Sequence, residues 1–206
     1  MEVFGLIGGT GLSKFENKRI IFLQRHGKGI PPHMVDNKAN IKFFKDKGIK
    51  KIIGVCSVGS LKEEIKPGTI IIPNDYINLK NIQTYYDLSV KHITPGLSKE
   101  IRELIIKSGP GVLDKGIYVQ TIGPRFETPA EINLIKNYAD IVGMTMANEA
   151  TLAKELGLEY AAICMVDNYA MGISEEVVTF ESLKKAQAKN LEAVERLLDA
   201  IIVNIS

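Results

Sequence analysis

Apolar residues in this chain are grouped in a way that leaves few folds open. Short continuous apolar runs alternate with segments where apolar residues recur at helical spacing. Strands are predicted over Val3–Ile7, Ile20–Gln24, Lys51–Cys56, Thr69–Pro73, Ile117–Thr121, Ile141–Gly143 and Tyr160–Val166. Several are apolar at successive positions, as strands covered on both faces are. Helices are predicted over Asn37–Lys47, Leu97–Lys107, Pro129–Tyr138 and Met146–Leu156, and the stretch from Ser174 to about Ile202 is predicted to contain a long helix. Thr128 reads as an N-cap with Pro129 in the first helical position, and Gly157 as the glycine that ends a helix. Strands alternating with helices imply an α/β fold, a central mixed β-sheet flanked by helices. With 206 residues and no repeat or linker, residues 1–206 are expected to form a single domain.

Composition narrows the function. Two cysteines exclude a disulfide scaffold and a four-cysteine zinc site. Cys56 and Cys164 are expected as reduced core residues. A formal net charge of +2, without a basic aromatic face, argues against a nucleic-acid partner. No apolar run approaches a membrane span, and Met1–Gly11 lacks the basic start of a signal peptide. A cytoplasmic protein without a membrane partner is expected.

The candidate chemistry sits at strand ends. Val3–Leu12 is a strand running into a glycine-rich turn. A dinucleotide site fails there, because Lys14 stands where the third glycine belongs and a strand follows instead of a helix. What remains is a turn whose amides and Thr10 hydroxyl suit a small anion such as phosphate. Arg25 and His26 follow the second strand, and a guanidinium fork matches phosphate oxygens. Cys56–Leu61 reads as a loop of small residues with hydroxyls and free amides. Three such strand ends together make an anion pocket at the edge of an α/β sheet.

These segments belong to a longer series: Gly5-Leu-Ile-Gly-Gly-Thr-Gly-Leu12, Arg25-His-Gly27, Pro31-Pro-His33, Val58-Gly-Ser-Leu61, Tyr86-Asp87, Gly123-Pro-Arg-Phe-Glu-Thr-Pro-Ala-Glu131 and Asp140-Ile-Val-Gly-Met-Thr145. In this order, over nearly the whole chain, they resemble the trimeric-type purine nucleoside phosphorylase family, in its methylthioadenosine phosphorylase branch. The resemblance implies the nucleoside phosphorylase fold and reversible phosphorolysis, in which a purine nucleoside and phosphate give free purine and an α-pentose 1-phosphate. It implies Thr10, Arg25, His26 and Thr145 as phosphate ligands, with Cys56 and Ser57 adding donors. It implies no metal and no cofactor, phosphate being a co-substrate. Met144 and Tyr86 are expected against the ribose, Phe126 over the base, and Glu127 at the base edge. His92 resembles the histidine that crosses a subunit boundary toward the substrate's 5′ end, which implies a homo-oligomer, a trimer or a dimer of trimers. From its residues alone, Glu127 reads as a helix first-turn carboxylate and His92 as a solvated loop residue.

Met165-Val-Asp-Asn-Tyr-Ala-Met-Gly172 carries the choice of base. The adenine-type branch has Thr-Asp-Tyr-Asp here. Aligned on the aromatic residue, Asn168 takes the place of the first carboxylate and Ala170 that of the second. This implies a catalytic Asn168 and a 6-oxopurine substrate: inosine, guanosine or 5′-methylthioinosine. A shift of one residue instead makes Asp167 the catalytic carboxylate and 5′-methylthioadenosine the substrate. Taken alone, Asp167 is a strand-end turn residue. Compared with the family, the stretch between Leu12 and Ile20 is short and two residues are missing between Gly27 and Pro31, which bears on the 5′ pocket. A nucleosidase, which would not require Arg25 and His26, and a non-catalytic nucleoside-binding protein are the competing readings.

Overall fold

The computed structural model describes residues 2–9, 11–175 and 179–205. Thr10 lies outside them. In chain order the elements are β1 (Phe4–Gly8), β2 (Ile20–Gln24), α1 (Asn37–Asp46), β3 (Lys51–Ser60), β4 (Ile70–Ile71), β5 (Asp75–Ile77), α2 (Lys99–Ser108), β6 (Ile117–Gln120), α3 (Pro129–Ile135), β7 (Ile141–Gly143), α4 (Met146–Glu155), β8 (Glu159–Tyr169) and α5 (Phe180–Asn204). The strands form one mixed sheet in the order β2-β1-β3-β7-β6-β5, with β8 paired to β3 and β4 paired to β8. The fold is the α/β class that the alternation of strands and helices implies.

β3 is the spine. It runs parallel to β1 and β8 and meets β7 antiparallel at its far end. Its side chains alternate between two cores. Ile52, Cys56 and Val58 pack with Ile41 and Phe44 of α1 and Ala147 and Leu152 of α4. Ile53 and Val55 pack with Ile101 and Ile105 of α2 and Val194, Leu198 and Ile201 of α5. Helices on both sides explain why the central strands are apolar at successive positions.

Several elements differ from the sequence reading: β4 is only Ile70–Ile71, α3 stops at Ile135 and β8 runs on to Tyr169. β3 continues to Ser60, so Cys56 and Ser57 are strand residues in register with Cys164 and Met165, not members of a loop with free amides. The alternation of burial through Val55, Cys56 and Val58 holds the strand together where small residues suggest a turn. β5 is too short to show a period, and it pairs with β6 at the sheet edge. α5 is the long helix expected after Ser174; it begins at Phe180, where Thr179 and Ser182 form a capping box, and runs to Asn204.

One glycine of β3 joins the fold to the cleft described below. A methyl group on Gly54 would run into the Tyr160 hydroxyl and come within 3.3 Å of Glu149 Oε2. The backbone cannot retreat, because Gly54 is paired with Ile7 on one side and Ala162 on the other. Gly54→Ala is expected to cost about 1–3 kcal/mol, read as a lowered urea midpoint at unchanged slope.

Candidate active site

A cleft opens where β2, β3, β7 and β8 end. Its walls include Arg25, His26, Ser57, Phe126, Glu127, Met144, Thr145, Asn168 and Ala170, with Leu183 and Gln187 contributed by α5.

Arg25 lies just past β2 and is buried. Its Nε and Nη2 grip Glu149 of α4, with Nη2 to Oε2 at 3.0 Å, and Nη1 donates to the Val55 carbonyl at 2.7 Å. The Tyr160 hydroxyl donates to Glu149 Oε2 at 2.7 Å and fixes the carboxylate from behind. Burial works against the Arg25 charge, but the Glu149 carboxylate, together with Cys56 and Tyr160, holds the guanidinium pKa above its ordinary value. The glycine-rich turn is part of this packing. A Cβ on Gly9 would come within 2.5 Å of both Arg25 Nη1 and the Val55 carbonyl.

His26 places Nδ1 2.8 Å from the Ile30 carbonyl. Burial lowers its pKa, opposed by that carbonyl and assisted by the Arg25 charge. The neutral ring donates from Nδ1, which leaves Nε2 an acceptor. Thr145 is the N-cap of α4, but its side chain makes no capping bond. The Tyr118 hydroxyl and Gln120 Oε1 accept from the first backbone amides of α4 instead. That leaves the Thr145 side chain at the cleft wall, its hydroxyl 4.0 Å from Cys56 Sγ.

Ser57 lines the cleft, yet its hydroxyl donates to Asp167 and accepts from Gln187 Nε2 at 3.1 Å. It has no proton left for an anion. Cys56 is buried behind Arg25, its Sγ 3.6 Å from Nη2, and does not line the cleft.

Glu127 accepts from the Thr121 hydroxyl at 2.5 Å. The capping of α3 falls to Thr128 and Glu131 instead. Arg125 pairs with Glu131 at 2.8 Å. Asn168 donates through Nδ2 to the Tyr169 carbonyl at 2.7 Å, which leaves Oδ1 as an acceptor at the cleft.

Asp167 is turned away. Its buried carboxylate faces α5, accepts from Asn190 Nδ2 at 2.9 Å and from Ser57, and does not line the cleft. Burial pushes its pKa up, and the Ser57, Asn190 and Gln187 donors oppose the rise. The catalytic place expected for Asp167 does not fit this arrangement, because its oxygens accept from Ser57 and Asn190 and it does not line the cleft. Tyr86 and His92 are also absent from this chain's cleft. The Tyr86 hydroxyl donates to the Glu155 carbonyl at 2.8 Å at the end of α4, and His92 is exposed. The sequence reading missed Gln187. Its signal is a polar residue on the stripe Leu183, Leu191, Val194 of α5.

Curated relatives resemble the chain along most of its length. A probable 6-oxopurine nucleoside phosphorylase of Archaeoglobus fulgidus is 43% identical, covering 88% of this chain and 78% of the relative. A probable S-methyl-5′-thioinosine phosphorylase of Methanocaldococcus jannaschii is 38% identical, covering 96% and 92%. Among solved structures, methylthioadenosine phosphorylase from Schistosoma mansoni in complex with adenine superposes with a TM-score of 0.86 at 24% identity, covering 98% of this chain and 92% of that one. Residues 10–203 match the Phosphorylase superfamily, and the chain belongs to it.

Proposed function

We propose that this enzyme is a pentosyltransferase that cleaves 6-oxopurine nucleosides with phosphate. The products are free purine and ribose 1-phosphate or its 5-methylthio analogue, and the substrates are inosine, guanosine and 5′-methylthioinosine. The observation that carries this reading is that an amide and a methyl, Asn168 and Ala170, face the cleft while the neighbouring carboxylate of Asp167 is turned onto α5. Phosphorolysis of 5′-methylthioadenosine, the alternative, needs a carboxylate facing the cleft at one of those two positions.

In this reading phosphate lies against Arg25, His26 and Thr145; Thr10, the further ligand that the family resemblance implies, lies outside the described residues. Arg25 supplies the positive charge already oriented, so no metal and no cofactor is called for. The neutral His26 Nε2 accepts from a P–OH. A phosphate oxygen bonds to C1′ as the C1′–N9 bond breaks, and that electron pair passes to the purine. The hydrogenphosphate loses its proton as the ester dianion forms, and the purine takes up one proton from water at N7, so the exchange balances. Asn168 Oδ1 holds that N7–H, and the Glu127 oxygen not taken by Thr121 accepts from N1–H. Adenine has no N1 proton and would set a lone pair against the carboxylate, a mismatch that discriminates strongly. Phe126 and Met144 flank the base and ribose. The names of the relatives support the same substrate class.

Tyr86 and His92 enter through a second copy of the chain. The loop that bears them leaves Leu88 and Val90 fully exposed, and Leu134 and Tyr138 of the α3 region stand exposed beside an apolar groove. We assign these surfaces to contacts within a trimer or a dimer of trimers, with His92 reaching the neighbour's 5′ subsite. Among the described residues no helix is long and apolar enough to cross a membrane. We place the enzyme in the cytoplasm.

The decisive assay follows purine release from inosine, 5′-methylthioinosine, adenosine and 5′-methylthioadenosine, with and without phosphate. Hypoxanthine with matching pentose 1-phosphate, only when phosphate is present, is the expected result. Adenine release at comparable kcat/KM would overturn the base assignment, and release without phosphate would make the protein a hydrolase. The double variant Asn168→Asp/Ala170→Asp should lower the inosine-to-adenosine ratio of kcat/KM by about tenfold or more. Leu88→Asp/Val90→Asp should sediment as a smaller species with reduced kcat/KM.

A further inference from the structure

We propose that Asp167 is a positioning residue, and that its anchorage to α5 sets the aim of Asn168. The inference rests on Asn168 as the reader of the base. β3 and β8 pair residue for residue from Lys51–Glu159 to Val58–Val166, and the next pair is Gly59–Asn168. Asp167 is therefore one extra residue, a β-bulge. A bulge bends its strand and re-aims the neighbouring side chain, and bulges gather beside active sites for this reason. The Asn168 amide is tied to the Tyr169 carbonyl, its neighbour in the chain, so its direction follows the backbone at the bulge.

The side chain of the extra residue holds the bulge in place. Asp167 is buried and takes donors from two elements, the Ser57 hydroxyl of β3 and Asn190 Nδ2 of α5 at 2.9 Å. Gln187, one helical turn earlier on α5, donates to Ser57 Oγ at 3.1 Å and so commits the Ser57 proton to Asp167. Asn190 Nδ2 also reaches the Val166 carbonyl at 3.5 Å, on the residue before the bulge. The space among these groups is about 20 Å³, room for one water and no ligand. A buried carboxylate with internal donors and no access to substrate fixes geometry. Every contact it makes lies on the two strands and the helix that frame Asn168.

The test compares two purine analogues that differ at the position Asn168 reads. 9-Deazahypoxanthine carries a proton on N7, and 7-deazahypoxanthine has a carbon there. Binding of both is measured by calorimetry, beside kcat and KM for inosine and phosphate. The wild type should prefer the 9-deaza compound, and Asn168→Ala should abolish the preference. Asp167→Ala should reduce it by about tenfold. Asp167→Asn should recover most of that loss, because it can still accept from Ser57 and pair with a turned Asn190 amide. Asn190→Leu, which lies off the cleft, should lower the preference by about threefold with the KM for phosphate moved less than about twofold, and it carries the test if Asp167→Ala does not fold. Equal weakening of both analogues in the Asp167 and Asn190 variants would overturn the proposal, as would an intact preference. If Asp167→Asn loses as much kcat as Asp167→Ala while the preference stands, Asp167 moves a proton and the proposal is wrong. If Asn168→Ala keeps the preference, the base-reading role falls first and this inference with it.

Discussion

The ion pair between Arg25 and Glu149 ties four elements together at one point. The arginine comes from the end of β2, the glutamate from α4, the hydroxyl that orients the glutamate from β8, and the carbonyl that holds Nη1 from β3. Gly9 and Gly54 are small because these groups fill the space beside them. Removing one member of such a pair leaves a buried charge uncompensated, a loss of about 3–5 kcal/mol, whereas an apolar replacement of both is often neutral. Stability alone therefore does not explain its presence. In the proposed reading, a cation held rigid at the wall of a cleft meets an anion without first paying to reorganise.

The neighbouring donors fit the same scheme. A helix N-terminus is a ready anion site, and α4 points one toward the cleft. Here the Tyr118 hydroxyl and the Gln120 side chain already take its amides. The Ser57 hydroxyl is likewise committed to Asp167. The groups left over at the wall are the Thr145 side chain, His26 and the arginine. Anion recognition in this reading belongs to side chains with fixed neighbours, more than to the exposed backbone that a glycine-rich turn first suggests.

Much of the fold is legible from the residues, because strands buried on both faces write themselves as apolar blocks and a capped helix as Thr128-Pro129. The end of β3 is not. Ser57, Gly59 and Ser60 look like a turn, and only the partner strand makes them a ladder. The cleft residues Arg25, His26, Glu127 and Asn168 could be picked out from their motifs. The facing of Asp167 could not, because an inserted strand residue leaves no mark on composition or period. Gln187 was visible as one amide on an apolar helix stripe, but its target lies 130 positions away in the chain. Tyr86 and His92 do not line the cleft of this chain, and their motif carries no sign of that.

The bulge at Asp167 also divides β8 into two parts with different obligations. Ile163 to Val166 are fully packed between helices, and any change of volume there is felt by both cores. Asn168 and Ala170 lie beyond the joint and face the cleft. In the proposed reading, base preference is thereby separated from core packing within a single strand. Loss of the extra residue at the joint would shift the register of the cleft-facing part by one and turn Asn168 and Ala170 to the other face.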